Sequence, residues 1–442
     1  MSTITFREIN RIALPATVAG LAEPILSITD TAIVGRLGAQ EVGAVGLGTS
    51  IFMLLFWIFA SMRAVLASII AQHLGKGELN KVSSLIPQAI LLSAVIGLLC
   101  YIGTAPFSIQ IFQLYKADGR LLDLSVQYYQ IRSIGFPFSL ATFTVFGVFK
   151  GYQNTFWIMY ITFLGSIVNI ILDFALVWGI PGWIPSLGVS GAAYASLCAQ
   201  IIMLVTSLVF LWIRFRPDLN MRKLNPETLN LLTMSLQMIT RTIALTLTFF
   251  VANRFATSYG DEHIAAHTIV LNIWVFSAFF LNGYENAAIV LAGKLSGHRD
   301  KAGIFHLAMK LLKIGVLLMI VLSLMYLAGY HLIPTFFIRD PTVIQIFKSF
   351  FWLMILSQPI NAIAFIFDGL FIGLGQVKFL KNTLLVATLL GFLPFVLIFD
   401  AIDLNVEGVW MAILIWMCFR ALPPCFKFYQ TYYRYRAKFS SD

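Results

Sequence analysis

Charge is what this chain has least of. Asp, Glu, Lys and Arg make up 11% of its 442 residues, where soluble domains carry about 25%. Hydrophobic residues reach 59% and the mean hydropathy is +0.86. No soluble fold of this length hides so much apolar surface, which excludes a water-soluble enzyme and leaves a multi-span membrane protein. Cysteine is scarce as well: Cys100, Cys198, Cys418 and Cys425 fall within or beside apolar segments, without metal-ligand spacing. They read as small buried hydrophobes, and no disulfide is expected. A GxxxxGK[ST] phosphate loop, a nucleophile elbow and an HExxH pair are all missing, "GKGE" (75–78) being only a turn. Nothing supports ATP hydrolysis or protease chemistry, and no enzyme and no cofactor are expected. The N-terminus "MSTITFREINR" has no small-residue cleavage site, so no removable signal peptide is expected.

What is present is a succession of long apolar, aromatic-rich segments with Gly and Pro inside them, the habit of spanning helices and not of a ten-residue barrel alternation. Twelve are read, at 11–35, 42–73, 84–104, 126–149, 157–179, 189–213, 231–256, 264–293, 304–330, 345–372, 383–400 and 408–430. An even count puts both termini on one side. That side holds Arg7, Lys76, Lys81, Lys150, the loop from Arg214 through Arg222 to Lys223, Arg299, Lys301, Lys378, Lys381, and the tail residues Arg434, Arg436 and Lys438. The other side offers Arg36, Lys116, Arg120 and Arg339. Both termini are therefore expected in the cytoplasm, with the chain in the inner (plasma) membrane. The formal net charge of +10 follows from the same rule and calls for no nucleic acid.

The basic loop "RFRPDLNMRKLNPE" (214–227) divides the chain in two. The expected domains are a six-helix lobe at 1–213, a cytoplasmic linker at 214–230, and a second lobe at 231–442 with a basic tail. A shift of 222 residues brings Gly38 onto Gly260, Gly75 onto Gly297, Pro137 onto Pro359, and "GVFKG" (147–151) onto "GLFIG" (369–373). Two halves of six spans each share one orientation, a parallel repeat of the kind used by secondary transporters, with the pathway expected between the lobes.

Acids inside the spans are Glu23, Asp30, Asp173, Glu285 and Asp368; bases are Arg63, Arg132 and Arg241. A carboxylate at mid-membrane costs roughly 2.5–3.5 kcal/mol on insertion scales, so each needs a reason. "NIILD" puts Asn169 and Asp173 at i and i+4 on one helical face. Asp30 and Asp173 read as a carboxylate pair that exchanges a proton or Na⁺; with Asn169 and a hydroxyl they offer the oxygens a hard cation takes. The alternative, left open by the residues alone, is that Arg63 or Arg132 neutralises them and the pairs only hold helices together. Pro15 and Pro24 predict a bend in the first span. His73, His267 and His306 lie in three different spans and read as packing residues.

The motifs "ITDTAIVGRLG" (28–38), "AQHLGKG" (71–77), "VNIILDFALVWG" (168–179), "GVSGAAYAS" (188–196), "ITRTIAL" around Arg241 and "FDGLFIGLGQ" (367–376) resemble, in order and spacing, the multidrug and toxic compound extrusion (MATE) transporters, and among them the DinF-like branch. The resemblance implies an all-α integral membrane protein of twelve helices in two pseudo-symmetric lobes. Its implied activity is export of small organic, cationic or amphipathic compounds against inward H⁺ or Na⁺. It implies a cation site of Asp30, Asn169, Asp173 and Ser196, and a working monomer in the lipid. The eighth span departs from the branch: Asn282 and Ile289 stand where it has Asp and Glu, and Glu285 appears a turn earlier. Glu23, Glu285 and Asp368 are thus secondary acids, and Arg63, Arg132 and Arg241 structural counter-ions. The rival from the same wider superfamily is a lipid-linked precursor flippase.

Overall fold

Apolar side chains offer a backbone in lipid no hydrogen-bond partner, so it bonds to itself and helices result. The structure, a computed structural model, describes residues 4–219 and 223–435; the side chains of 22–28 and 31 are outside the described residues. Glu23, Arg222, Arg436 and Lys438 therefore lie outside what it describes. The first half comprises α1 (Phe6–Gly35), α2 (Ala39–Ala60), α3 (Met62–Lys76), α4 (Leu85–Thr104), the short α5 (Ser108–Leu114), α6 (Gly119–Ser133), α7 (Phe136–Gly151), α8 (Phe156–Val177) and α9 (Val189–Phe215). The second comprises α10 (Glu227–Ser258), α11 (Asp261–Gly297), α12 (Lys301–Ala328), the short α13 (Ile333–Phe337), α14 (Pro341–Gly373), α15 (Val377–Val386), α16 (Leu393–Ala401) and α17 (Asn405–Tyr432).

Among the described residues, ten stretches are long and apolar enough to cross a bilayer, and α6–α7, bent by 46°, makes eleven. The 30-residue α1 carries the first apolar segment and completes twelve. Outward faces are apolar, as on α4 with Leu91, Leu98, Leu99 and Ile102, which suits lipid.

Breaks inside the expected segments have local causes. The segment expected at 42–73 is two helices meeting at Ser61. The one expected at 126–149 bends at Ile134–Gly135, where Pro137 starts α7 and has no N–H to continue α6. The one expected at 383–400 carries a π-helical turn, Ala387–Phe392, immediately before Pro394. Pro359, by contrast, sits within an unbroken α14, and α1 runs as helix through both Pro15 and Pro24.

The chain divides into two compact units: Val18–His73 with Gly77–Leu232, and Leu74–Lys76 with the chain up to Thr17 and from Thr233 onward. Both differ from the expected domains at α1, whose first part belongs with the second half. The loop expected as a linker belongs with the first half because side chains tie it down. Gln88 accepts from the Asn225 N–H (3.0 Å) and the Thr228 hydroxyl (2.9 Å) and donates to the Lys223 carbonyl (2.9 Å). Asn225 donates in turn to the Lys81 carbonyl at 2.7 Å and the Ser84 hydroxyl at 3.0 Å.

The repeat is physical. Gly38 and Gly260 both begin the second span of their half at positive φ, 154° and 114°, a region glycine enters freely. A Cβ on Gly147 would lie 2.5 Å from the Arg63 carbonyl oxygen, and one on Gly369 would lie 2.5 Å from that of Glu285. Gly147 and Gly369 are 222 apart, and so are Arg63 and Glu285. One turn on, Gly151 and Gly373 meet the carbonyls of Ala67 and Ile289, again a pair at the same shift. The same helix crossing, with the same glycines, is built twice.

Candidate functional site

On α8 the buried stripe is Ile161, Gly165, Asn169, Asp173 and Val177, every fourth residue, while Ile167, Ile171 and Phe174 face outward. This periodicity places Asn169 and Asp173 inside the first half. Small residues let α9 come close: a Cβ on Gly191 would be 2.5 Å from the Leu176 carbonyl, and Ser196 is buried on that helix. Asp30, near the end of α1, is half-buried, and its carboxyl comes within hydrogen-bonding reach of Asp173. Both Asp173 oxygens are buried, and no donor bonds them.

Arg132 on α6 acts electrostatically on both acids. It is buried, its guanidinium 3.9 Å from the centroid of the Phe52 ring, with Nε and Nη1 bonded to no acceptor. One turn earlier, the Tyr128 hydroxyl pairs with Thr49 Oγ1 at 3.1 Å and is within reach of Arg132. Arg63, expected as a counter-ion, lies over the rings of Phe143 (4.7 Å) and Trp57 (5.4 Å). The structure thus brings Asp30, Asp173 and Arg132 together, with Asn169 one turn from Asp173.

The second half has a different centre. Asp368 on α14 accepts at one oxygen, Oδ2, from Arg241 Nη2 of α10 and from Arg420 Nη2 of α17, both at 2.5 Å, with Arg420 Nε at 3.2 Å. All three are buried. Arg420 also covers the Phe365 ring at 4.8 Å. Sequence reasoning overlooked Arg420, although the signal was available: "MCFRALPP" sets an arginine inside the twelfth apolar segment. Glu285 is half-buried on α11, beside the crossing with α14. His267 is wedged between Trp410 Nε1, which donates to its Nδ1 (3.2 Å), and Asn253 Oδ1, 3.0 Å from its Nε2. Both ring nitrogens are engaged as a neutral imidazole would engage them. Among the described residues, no three of His, Cys, Asp and Glu form a metal-binding group.

Spanning helices in a doubled pattern, with ionisable groups buried inside each half, define a polytopic membrane transporter. The family model MatE matches residues 15–175 and 238–397. The chain belongs to that family, whose members are transporters and not enzymes. It is similar to Protein DETOXIFICATION 42 of Arabidopsis thaliana, 25% identical over 94% of this chain and 90% of that one. It is equally similar to DNA damage-inducible protein F of Escherichia coli K12, 25% identical over 93% and 89%. A probable multidrug resistance protein NorM of Mannheimia succiniciproducens is 24% identical over 95% and 92%. The fold matches a MATE crystal structure in the bent conformation with TM-score 0.88 at 20% identity, over 97% of this chain and 96% of that one. It also matches an outward-facing multidrug resistance MATE transporter, TM-score 0.85 at 20% identity, over the same shares.

Proposed function

We propose that this protein is a secondary-active exporter of small organic compounds, working by alternating access and driven by inward H⁺ or Na⁺ bound at Asp30 and Asp173. Asn169 and Ser196 complete the oxygen set for the cation. Both termini face the cytoplasm of a plasma membrane, and the exporter works as a monomer in lipid. The observation that carries this reading is the burial of Asp173 on the inward stripe of α8, with both its oxygens accepting from no donor. A proton between the two acids, or a hard cation on their oxygens, satisfies them; a structural ion pair would already be satisfied. Relatives named for multidrug resistance and detoxification support the export of organic compounds. The flippase reading has less support, because the second half's buried arginines Arg241 and Arg420 are already engaged by Asp368.

The test is efflux from proteoliposomes under a pH gradient alone and then a Na⁺ gradient alone. Asp30→Asn abolishes gradient-driven efflux while the protein remains extractable and folded. Undiminished efflux in that variant removes the assignment.

A further inference from the structure

From Phe174 to Ile213 the chain carries no charged side chain, and the connection "WGIPGWIPSLG" (178–188) lies within that stretch. It joins the ends of α8 and α9 that are remote from Lys150 and Arg214. Its conformation follows from its residues. Pro181 takes the second position of a tight turn, and Gly182, at φ 80°, the third, where a type II turn needs glycine. The Trp183 N–H closes that turn on the Ile180 carbonyl at 3.0 Å. Ile180 and Ile184 pair as an antiparallel bridge, each N–H donating to the other's carbonyl, at 2.8 and 2.9 Å. The Leu187 N–H reaches the Leu176 carbonyl at 2.9 Å; the Gly188 N–H and the Ser186 hydroxyl reach that of Val177, at 3.2 and 2.7 Å. Pro181 and Pro185 have no N–H to place. These donors are met from within the protein, as backbone requires where water is scarce.

The side chains of the turn are those a water-facing loop avoids. Trp183, at its tip, is 89% exposed, with Ile180 and Leu187 exposed beside it. They continue the outward apolar face of α8, on which Ile167, Ile171 and Phe174 are exposed. A contiguous apolar patch marks a surface that meets a membrane or a partner. Continuity with a helix face suited to lipid selects the membrane, and Trp favours the boundary between headgroups and acyl chains.

We infer that the 179–188 turn is an interfacial lipid anchor, seating Trp183, Ile180 and Leu187 at the headgroup–acyl boundary of the leaflet at that end of α8 and α9. Having no charge, it takes zwitterionic and anionic lipid alike. Because the turn is bonded to the last turn of α8, the anchor holds the end of the helix that carries Asn169 and Asp173.

Tryptophan fluorescence of the full chain in phosphatidylcholine vesicles tests this, the emission of Trp183 being the difference between wild type and Trp183→Phe. That emission is expected to be blue-shifted and to resist iodide in the water. It should lose most of its intensity when the lipid carries bromine near the carboxyl end of its acyl chains. Adding phosphatidylglycerol should leave these readings unchanged. A red-shifted emission quenched by iodide overturns the inference in favour of a solvated loop. A blue-shifted emission that brominated lipid does not quench overturns it in favour of a protein partner or a second copy. Quenching by brominated lipid that requires phosphatidylglycerol overturns it too. If Trp183→Phe does not fold, a nitroxide on Leu187→Cys decides, in a chain whose four native cysteines are replaced by alanine. Collisions with oxygen exceeding those with a water-soluble nickel chelate uphold the anchor. The reverse order, or few collisions with either, overturns it.

Discussion

In the first half two acids share one arginine; in the second one acid is shared by two. Asp30 and Asp173 lie near each other, with Arg132 acting electrostatically on both, whereas Asp368 is clasped by Arg241 and Arg420. Around these opposite centres the helices cross in the same way, with Gly147 and Gly369 set against carbonyls 222 residues apart. Duplication preserved what the backbone needs for close approach and left the charges free to diverge. Asp30 falls on Ala252, Asp173 on Phe395 and Asp368 on Phe146. On the proposed function, one centre changes its charge state while the other keeps it.

The sharpest way to break this comparison is to remove one acid from each half. Asp173→Asn is expected to eliminate gradient-driven efflux with little loss of thermal stability, since no donor is stranded. Asp368→Leu leaves two buried guanidiniums without their acceptor and is expected to cost about 3–5 kcal/mol, seen as a large fall in the unfolding temperature in detergent. The triple variant Arg241→Met/Asp368→Leu/Arg420→Met recovers most of that loss if the cluster is purely structural. Equal stability losses for Asp173→Asn and Asp368→Leu would erase the distinction between the halves.

A smaller effect tests the shared scaffold. Gly147→Ala and Gly369→Ala each push a methyl group against a carbonyl at 2.5 Å and should each cost about 1–3 kcal/mol. Losses of similar size in thermal unfolding sharpen the equivalence; a loss in one half only would break it.

The smallest concerns the turn after the first span of each half. In the second half the Tyr259 hydroxyl donates to Asp400 at 2.6 Å, while its counterpart in register, Leu37, has no hydroxyl to give. Tyr259→Phe should cost about 1 kcal/mol. Burial, together with Asp400, pushes the Tyr259 hydroxyl above the usual phenol range. Its stabilisation is thus full below the unfolded value of about 10 and fades as pH rises beyond it. Unfolding curves for wild type and Tyr259→Phe should converge at alkaline pH, and a gap that widens there would contradict the bond.

Much of this was legible in the residues. Hydropathy marked the spans, and the shift of 222 residues marked the repeat, because close helix crossings require glycine and glycine stands out in a sequence. "NIILD" announced a buried polar face through its spacing alone. Arg132 was visible as an intramembrane base, but its partner was not. Arg63 lies in a span of the same half and looked equally eligible; that it rests on Phe143 and Trp57 was not visible in the residues. The interruptions at Ser61 and at Ile134–Gly135 were hidden inside continuous apolar runs, because hydropathy is blind to helix direction.

Sequence by itself determined that the chain crosses a bilayer many times, that it is doubled, and that acids are buried at particular depths. These follow from composition and periodicity, which act residue by residue along the helix. Which charges meet was decided only by tertiary structure. Asp30 and Asp173 are 143 positions apart, and Arg241 and Arg420 are 179 apart. Contacts over such separations depend on the rotation and approach of several helices at once, which no local pattern specifies.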